Sequence, residues 1–234
     1  MNSEFRKGLA HGLPIGLGYL SVSFAFGMKA VGDGLTWIQA VLISATNVTS
    51  AGQLAGLPLM LGNAALLEMA LTQLTINLRY ALMSLSLTRK LDKSMGTAQR
   101  MFFSFMNTDE IFAVASSRPG EIGKHYLHGL MVMPYLGWTL GTLLGGLAGT
   151  ILPEFVRTAL GIAIYGMFLA LILPPARERR PVRFVVVTAV TLSLCFHYIP
   201  GLNRVSAGFV IIICAVTAAA AGAALFPEKE GDDA

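Results

Sequence analysis

Along its length the chain alternates long uncharged stretches with short charged ones. Charges bound apolar runs at Lys7–Lys29, Asp33–Glu68, Lys124–Glu154, Arg157–Arg177, Arg183–Arg204 and Arg204–Glu228. A helical bilayer crossing needs about 20 apolar residues. All of these runs except Asp33–Glu68 have the length of one span. Residues 64–88 make a further span that carries only Glu68 and Arg79. The pattern predicts an all-α, polytopic helical membrane protein with about six full spans plus one or two broken or re-entrant helices. The spans fall near residues 10–30, 64–88, 126–150, 157–175, 183–200 and 204–226.

The run from Gly34 to Leu67 is too long for one span and too short for two spans with a turn. Its centre, Thr46-Asn47-Val48-Thr49-Ser50-Ala51-Gly52-Gln53, is small and polar, and Pro58 follows. Residues 36–62 therefore read either as a re-entrant hairpin or as a broken helix that crosses fully. Positive charge favours the hairpin. With it, Arg6, Lys7, Arg89, Lys90, Lys93, Arg100, Arg118, Lys124, Arg177, Arg179, Arg180, Arg183 and Lys229 lie inside. Lys29, Arg157 and Arg204 lie outside, and Arg79 is in the membrane. A full crossing would move Arg89, Lys90, Lys93 and Arg100 outside and blur that bias. With the hairpin, residues 101–117 form a second re-entrant piece or a buried half-helix; with a full crossing they would have to become a span. Both termini are expected in the cytoplasm. Residues 1–234 are expected to form a single transporter domain ending in an acidic cytoplasmic tail, 227–234.

Composition narrows the class. The residues are 54% hydrophobic and 13% charged, about half the roughly one-quarter share of charge in soluble domains. Mean hydropathy is +0.64. These values exclude a soluble enzyme, a disulfide scaffold and a disordered tail protein. Cys195 and Cys214 each sit in an apolar run and read as small buried residues. Arg6 and Lys7 before an apolar stretch resemble a signal peptide, but the stretch runs to Met28 without a small-x-small cleavage site and reads as a retained span. The net charge of +4 reflects the basic loops and implies no nucleic acid. There is no metal-ligand spacing, phosphate-binding loop or nucleophile motif, so neither a cofactor nor an enzyme is expected.

Small residues let membrane helices approach. Gly8, Gly12 and Gly16 repeat at four-residue spacing in the first span. Gly137, Gly141, Gly145 and Gly149 do so in the 126–150 span, and the last span ends in Ala218–Ala224 with Gly222. These ladders serve either packing within the chain or the docking of a separate membrane subunit.

Three polar clusters stand at membrane depth, where polar groups are costly. In the first, Asn47–Gln53, a half-helix of about ten residues is roughly 15 Å long and reaches the bilayer centre. The next half-helix then begins near Ser50, Gly52 and Gln53 and presents free N–H groups to an anionic group; the alternative is a kinked helix satisfying its own backbone. In the second, Glu68, Thr72, Thr75 and Arg79 share one face, with Gln73, Asn77, Tyr80 and Ser84 beside it. Arg79 either snorkels to the inner surface or recognises a carboxylate. In the third, Asp109 and Glu110 open an apolar segment. They either favour a helix dipole or receive a proton or an ammonium group.

The order of these pieces, a Gly/Pro-rich span, Ser50-Ala51-Gly52-Gln53, Asn77-Leu78-Arg79-Tyr80 and Thr108-Asp109-Glu110, resembles the AzlC family across nearly the whole chain. That family forms the large subunit of branched-chain amino acid exporters. Gln53, Asn77, Arg79, Asp109 and Glu110 match its pattern. Ser50, Gly52 and Tyr80 depart from it, which bears on substrate choice. The resemblance implies a bacterial inner-membrane protein that works with a small hydrophobic AzlD-type subunit and exports branched-chain amino acids or related amino acids and analogues. Asn47, Ser50, Gly52, Gln53, Asn77 and Arg79 are the candidates for the substrate carboxylate, Asp109 and Glu110 for its ammonium. The rival reading is a channel-like or structural subunit whose partner forms the pathway.

Overall fold

In the computed structural model, residues 2–149 and 151–227 are described. The expected acidic tail beyond Pro227, and the side chains of Arg157 and Lys229, lie outside the described residues. The described chain is helical in the order α1 (Asn2–Gly32), α2 (Trp37–Thr46), α3 (Ser50–Leu61), α4 (Leu66–Thr88), α5 (Thr97–Phe105), α6 (Asp109–Ser117), α7 (Lys124–Ala148), α8 (Glu154–Glu178), α9 (Arg180–Tyr198) and α10 (Ala207–Leu225). Among the described residues, four helices are long and apolar enough to cross a membrane: Ser3–Gly32, Lys124–Ala148, Arg180–Tyr198 and Ala207–Leu225. The expected spans 64–88 and 157–175 coincide with α4 and α8; α4 falls outside that set, and much of α8 lies outside the described side chains. In α4 the reason is the stripe of Glu68, Thr72, Gln73, Thr75, Asn77 and Arg79, which lowers its apolarity.

The chain forms two compact units. One comprises residues 1–54 and 76–164, the other 55–75 and 165–234.

The first unit is built on α1 and α7. Gly8 faces the main chain of Tyr126 and Leu130, Gly16 faces Met133, and Gly27 faces Thr142. From the other side, Gly129 faces Phe5, Gly137 faces Gly16, and Gly145 faces Phe24. A Cβ at any of these positions would collide with backbone of the opposite helix. The two glycine ladders are therefore used against each other. Residue numbers rise together along the seam, so α1 and α7 run parallel.

One end of this unit is basic. The first turns of α1 and α7 meet the C-terminal ends of α4 and α6 there. Arg118 pairs with Glu4 at 2.5 Å and lies 4.0 Å above the centroid of the Tyr126 ring. Lys90 caps the end of α6 by donating to the carbonyls of Ser116 and, at 2.9 Å, Arg118. Leu87, Leu91, Phe103, Ile122, Tyr126 and Leu130 fill the core beneath. Arg6, Lys7, Arg89, Lys93, Arg100 and Lys124 belong to the same end by their place in these helices and loops. Lys29, at the other end of α1, pairs with Asp33 at 2.9 Å.

Two helix breaks lie at mid-depth in this unit. A capping box between Thr36 and Gln39 starts α2. The helix then runs antiparallel to α7, with Trp37 at Gly146, Ser44 at Thr142 and Ala45 at Tyr135. It stops at Asn47–Thr49, level with the middle of α7. Thr and Asn side chains compete for the helical hydrogen bonds: Thr46 bonds back to Leu42 O at 2.7 Å, and Thr49 donates to Asn47 Oδ1 at 3.0 Å. The expected piece at 101–117 resolves into two nine-residue helices, α5 and α6. α5 rises from the basic end, with Phe103 edge-on to His128 at 4.8 Å between centroids. The chain turns at Met106–Thr108, and α6 descends from Tyr19 back to Glu4. The α5–α6 pair is a hairpin that enters and leaves by the basic end.

In the second unit α9 and α10 pack antiparallel, with Gly222 against Val185. Gly201, at φ +96°, turns the chain between them. The alanine-rich end of α10 thus packs within the chain, as its buried face of Gly208, Cys214, Ala218 and Gly222 requires. Cys195 and Cys214 are free thiols, and Cys195 is only part-buried. Glu68, itself buried, accepts the Gly208 N–H at 3.0 Å. A carboxylate at the N-terminus of α10 suits the helix dipole.

Candidate functional site

The break between α5 and α6 carries charge. Thr108 caps α6 by accepting the Ile111 N–H at 3.4 Å, which places Asp109 and Glu110 in its first turn. α4 brings Arg79 to them, and the guanidinium meets Asp109 at 2.8 Å. The two side chains are 49% and 41% exposed, so this pair stands at depth yet within reach of a ligand. Arg79 also donates to the Tyr80 hydroxyl at 3.0 Å and lies 4.8 Å from its ring centroid. Buried Asn107 donates to Ser84 at 3.0 Å, tying the turn to α4. Glu110 points elsewhere: its carboxylate accepts from the Tyr19 hydroxyl of α1. Tyr19 also lies 2.6 Å from Thr108 Oγ1 and packs edge-on against Trp138 of α7, at 5.3 Å between centroids.

The break between α2 and α3 is uncharged and closed. Gln53 Nε2 donates to Ser44 Oγ at 3.0 Å, Ser44 meets Thr142 at 2.7 Å, and Thr142 donates to Trp138 O at 3.1 Å. Gln53, Ser44 and Thr142 are all fully buried. The Gln53 Oε1 and Trp138 Nε1 atoms are buried without a hydrogen-bond partner among the described residues. Tyr135 adds a hydrogen bond to Ala45 O at 3.1 Å.

The two breaks meet on α7. Trp138 supports Tyr19 and the charged break, and Thr142, one helical turn on, holds the uncharged one. Of the residues singled out in the sequence, the structure joins Arg79 to Asp109 directly and Glu110 to the same break through Tyr19. Gln53 belongs to the second cluster. Asn47 closes α2, Ser50 opens α3, and Gly52 is buried in the first turn of α3. Asn77 stands half-buried on α4, two residues before Arg79. The wide polar face expected on α4 divides: Glu68 and Thr72 serve Gly208 of the second unit, while Arg79 and Ser84 serve the charged break.

The AzlC protein family matches residues 14–152, which hold both breaks and every candidate residue. The chain belongs to the AzlC family. A membrane protein of Archaeoglobus fulgidus with no described function is 34% identical to it over 89% of this chain and 90% of its own length. The inner membrane protein YgaZ of Escherichia coli is 25% identical over 76% of each chain. The branched-chain amino acid transport protein AzlC of Bacillus subtilis is 24% identical over 70% of this chain and 67% of its own. No solved structure matches. The AzlC-family match begins within α1 and ends just past α7, so both breaks and the part of the α1–α7 seam from Gly16 onward lie inside the matched region.

Tyr19, Ser44, Trp138 and Thr142 were not legible as site residues. A tyrosine or tryptophan in an apolar helix reads as packing. A lone Ser or Thr there reads as a bond to its own helix, as Ser23 in fact makes to Tyr19 O at 2.8 Å. The one available signal was spacing: Tyr135, Trp138 and Thr142 share a face of α7.

Proposed function

We propose that this AzlC-family chain is a secondary-type exporter of branched-chain amino acids, or of related amino acids and analogues. It works in the bacterial inner membrane with a small AzlD-type subunit, and residues 1–234 act as one transporter domain. The observation that carries this reading is the Arg79–Asp109 pair, set at a helix break and accessible. A zwitterion offers one carboxylate and one ammonium, so it replaces each partner of that pair with its own opposite charge. The carboxylate goes to Arg79, assisted by Asn77 and by the N–H groups at the start of α3, where Asn47, Ser50, Gly52 and Gln53 stand. Broken helices with such ends are a feature of transporter sites. The ammonium goes to Asp109. Apolar side chains of α1 and α7 hold the aliphatic group. The basic end of the first unit supports a cytoplasmic N-terminus by the positive-inside bias. The same bias supports reading the C-terminus as cytoplasmic and residues 36–62 as a re-entrant hairpin.

Cells carrying the chain and its small subunit, loaded with leucine or valine, test this. Arg79→Ala and Asp109→Asn are each expected to cut efflux at least about tenfold, or about 1.4 kcal/mol, with normal amounts of folded protein. Wild-type efflux from both variants would sink the assigned site. One observation favours a structural role instead: Arg79 and Asp109 already satisfy each other. On that reading the variants lower the melting temperature, while transport per folded molecule stays unchanged.

A further inference from the structure

The charged break holds one cation and two carboxylates, and the geometry divides them unequally. Arg79 is committed to Asp109. Among the described residues, no Lys, Arg or His lies within ion-pair distance of Glu110. Its partner is the neutral hydroxyl of Tyr19, itself against Thr108 Oγ1.

We propose that Glu110 is the proton-carrying group of this transporter, and that the Tyr19–Thr108 hydroxyl pair supports it in both protonation states. The proposal rests on the exporter reading above and assigns its coupling ion. A tyrosine hydroxyl donates one hydrogen and also accepts. When Glu110 is ionised, Tyr19 donates to it and Thr108 donates to Tyr19. When Glu110 is protonated, its O–H donates to Tyr19 and Tyr19 donates to Thr108. Either state is hydrogen-bonded without moving a heavy atom. An arginine partner favours the ionised form of a carboxylate over the protonated one, and Glu110 faces the neutral Tyr19 hydroxyl instead.

The groups that face Glu110 come from every packed element. α1 contributes Tyr19, α4 contributes Arg79 and Tyr80, and α6 contributes Asp109. α7 contributes no titratable partner among the described residues. It contributes Trp138, 3% exposed, whose indole N–H is buried without an acceptor beside Tyr19, a donor left unspent at the site.

The balance closes. With Glu110 ionised, the trio of Arg79, Asp109 and Glu110 carries one net negative charge, and binding a proton brings it to neutral. A zwitterionic amino acid adds no net charge. For antiport the empty site returns inward only with Glu110 protonated, and the proton leaves on the inner side before the next amino acid moves outward, so one proton enters for each amino acid exported. The proton gradient supplies the drive.

Vesicles containing the full chain and its small subunit test the proposal, with labelled leucine as the probe. Two processes are compared: transport driven by an imposed pH gradient, and exchange of labelled for unlabelled leucine at equal pH. Glu110→Gln is expected to lose gradient-driven transport at least tenfold while retaining measurable exchange. Tyr19→Phe removes a hydrogen bond to the charged carboxylate, so protonation becomes easier. Its pH midpoint is expected to rise by about one unit. Gradient-driven transport by Glu110→Gln overturns the proposal and leaves the exporter reading standing. So does loss of both processes in a folded Glu110→Gln protein, which would make Glu110 a substrate ligand. If Glu110→Gln does not fold, Tyr19→Phe decides, and an unmoved midpoint overturns the proposal. Wild-type vesicles that exchange no amino acid at all would overturn the exporter reading itself, and this proposal with it.

Discussion

The two helix breaks of the first unit stand against the same helix and are solved in opposite ways. At Asn47–Thr49 the polar groups are neutral and sealed: Gln53, Ser44 and Thr142 form a hydrogen-bonded chain ending on the α7 backbone. At Met106–Thr108 the groups are ionised and open, with Arg79 and Asp109 half-exposed. Buried polar groups are tolerated at depth when they satisfy one another. Charged ones are tolerated when they pair and face a cavity. The difference separates two jobs. The neutral break fastens α2 and α3 to α7. The charged break keeps its groups available for something that comes and goes.

The most disruptive way to break this comparison is to remove the seam on which both depend. Gly137→Leu would drive a side chain into the backbone of Gly16. Overpacking of this kind costs about 1–3 kcal/mol or more. The expected result is loss of folded protein in a detergent thermal melt, affecting both breaks together.

A sharper test exchanges the charges. The double variant Arg79→Asp with Asp109→Arg keeps an ion pair between α4 and α6. Exposed pairs contribute only about 0–1 kcal/mol to stability, so the melting temperature is expected to stay near wild type. Efflux is expected to fall at least about tenfold, because the carboxylate and ammonium sites have changed places. Full efflux would show that the pair is only a fastening.

Thr142→Val probes the neutral break. It takes away the acceptor of Ser44, and interhelical hydrogen bonds in membranes contribute about 1 kcal/mol. The expected outcome is a lower melting temperature with unchanged efflux per folded molecule. Loss of transport at full stability would mean that the sealed Gln53–Ser44–Thr142 chain itself handles substrate, beyond the N–H groups at the start of α3.

The smallest effect belongs to a loop outside both breaks. Asp92 accepts the Ser94 N–H at 2.8 Å, and this hydrogen bond holds its carboxyl below the ordinary value of 3.8. A depressed carboxyl stabilises the fold above the unfolded value and loses that contribution as pH falls through the folded one. Asp92→Asn should therefore lower the melting temperature slightly at neutral pH, where the contribution is present. It should also flatten the decline below about pH 4, read from melting curves across pH.

Much of the architecture was legible because apolar run length and bilayer thickness are both linear measures. The uncharged runs gave α1, α7, α9 and α10, and the small polar stretch at 46–53 marked the first break. The second break was less clear. Asp109 and Glu110 signal a helix start, but nothing local says that the preceding segment is a second helix turning back. That turn depends on Asn107 reaching Ser84 and on the Phe103–His128 contact, both remote in sequence. The glycine ladders left two readings open. Packing within the chain holds because each ladder needs a backbone to approach, and α1 and α7 supply each other's.

By itself the sequence determined that the chain is a helical membrane protein, where its first helix break lies, and that charge at depth is confined to a few residues. Those follow from hydrophobicity, spacing and the scarcity of charge, which act locally along the chain. The AzlC-family resemblance was legible on the same residues. Only the tertiary structure decided which charges meet: Arg79 with Asp109, and Glu110 with Tyr19 rather than with any cation among the described residues. Tyr19 and Glu110 are 91 residues apart, and no local rule connects them. Their meeting follows from the parallel seam of α1 and α7 and from a hairpin that turns at mid-depth. Hydrogen bonds and ion pairs act over a few ångströms, so these partners were settled by folding and not by position along the chain.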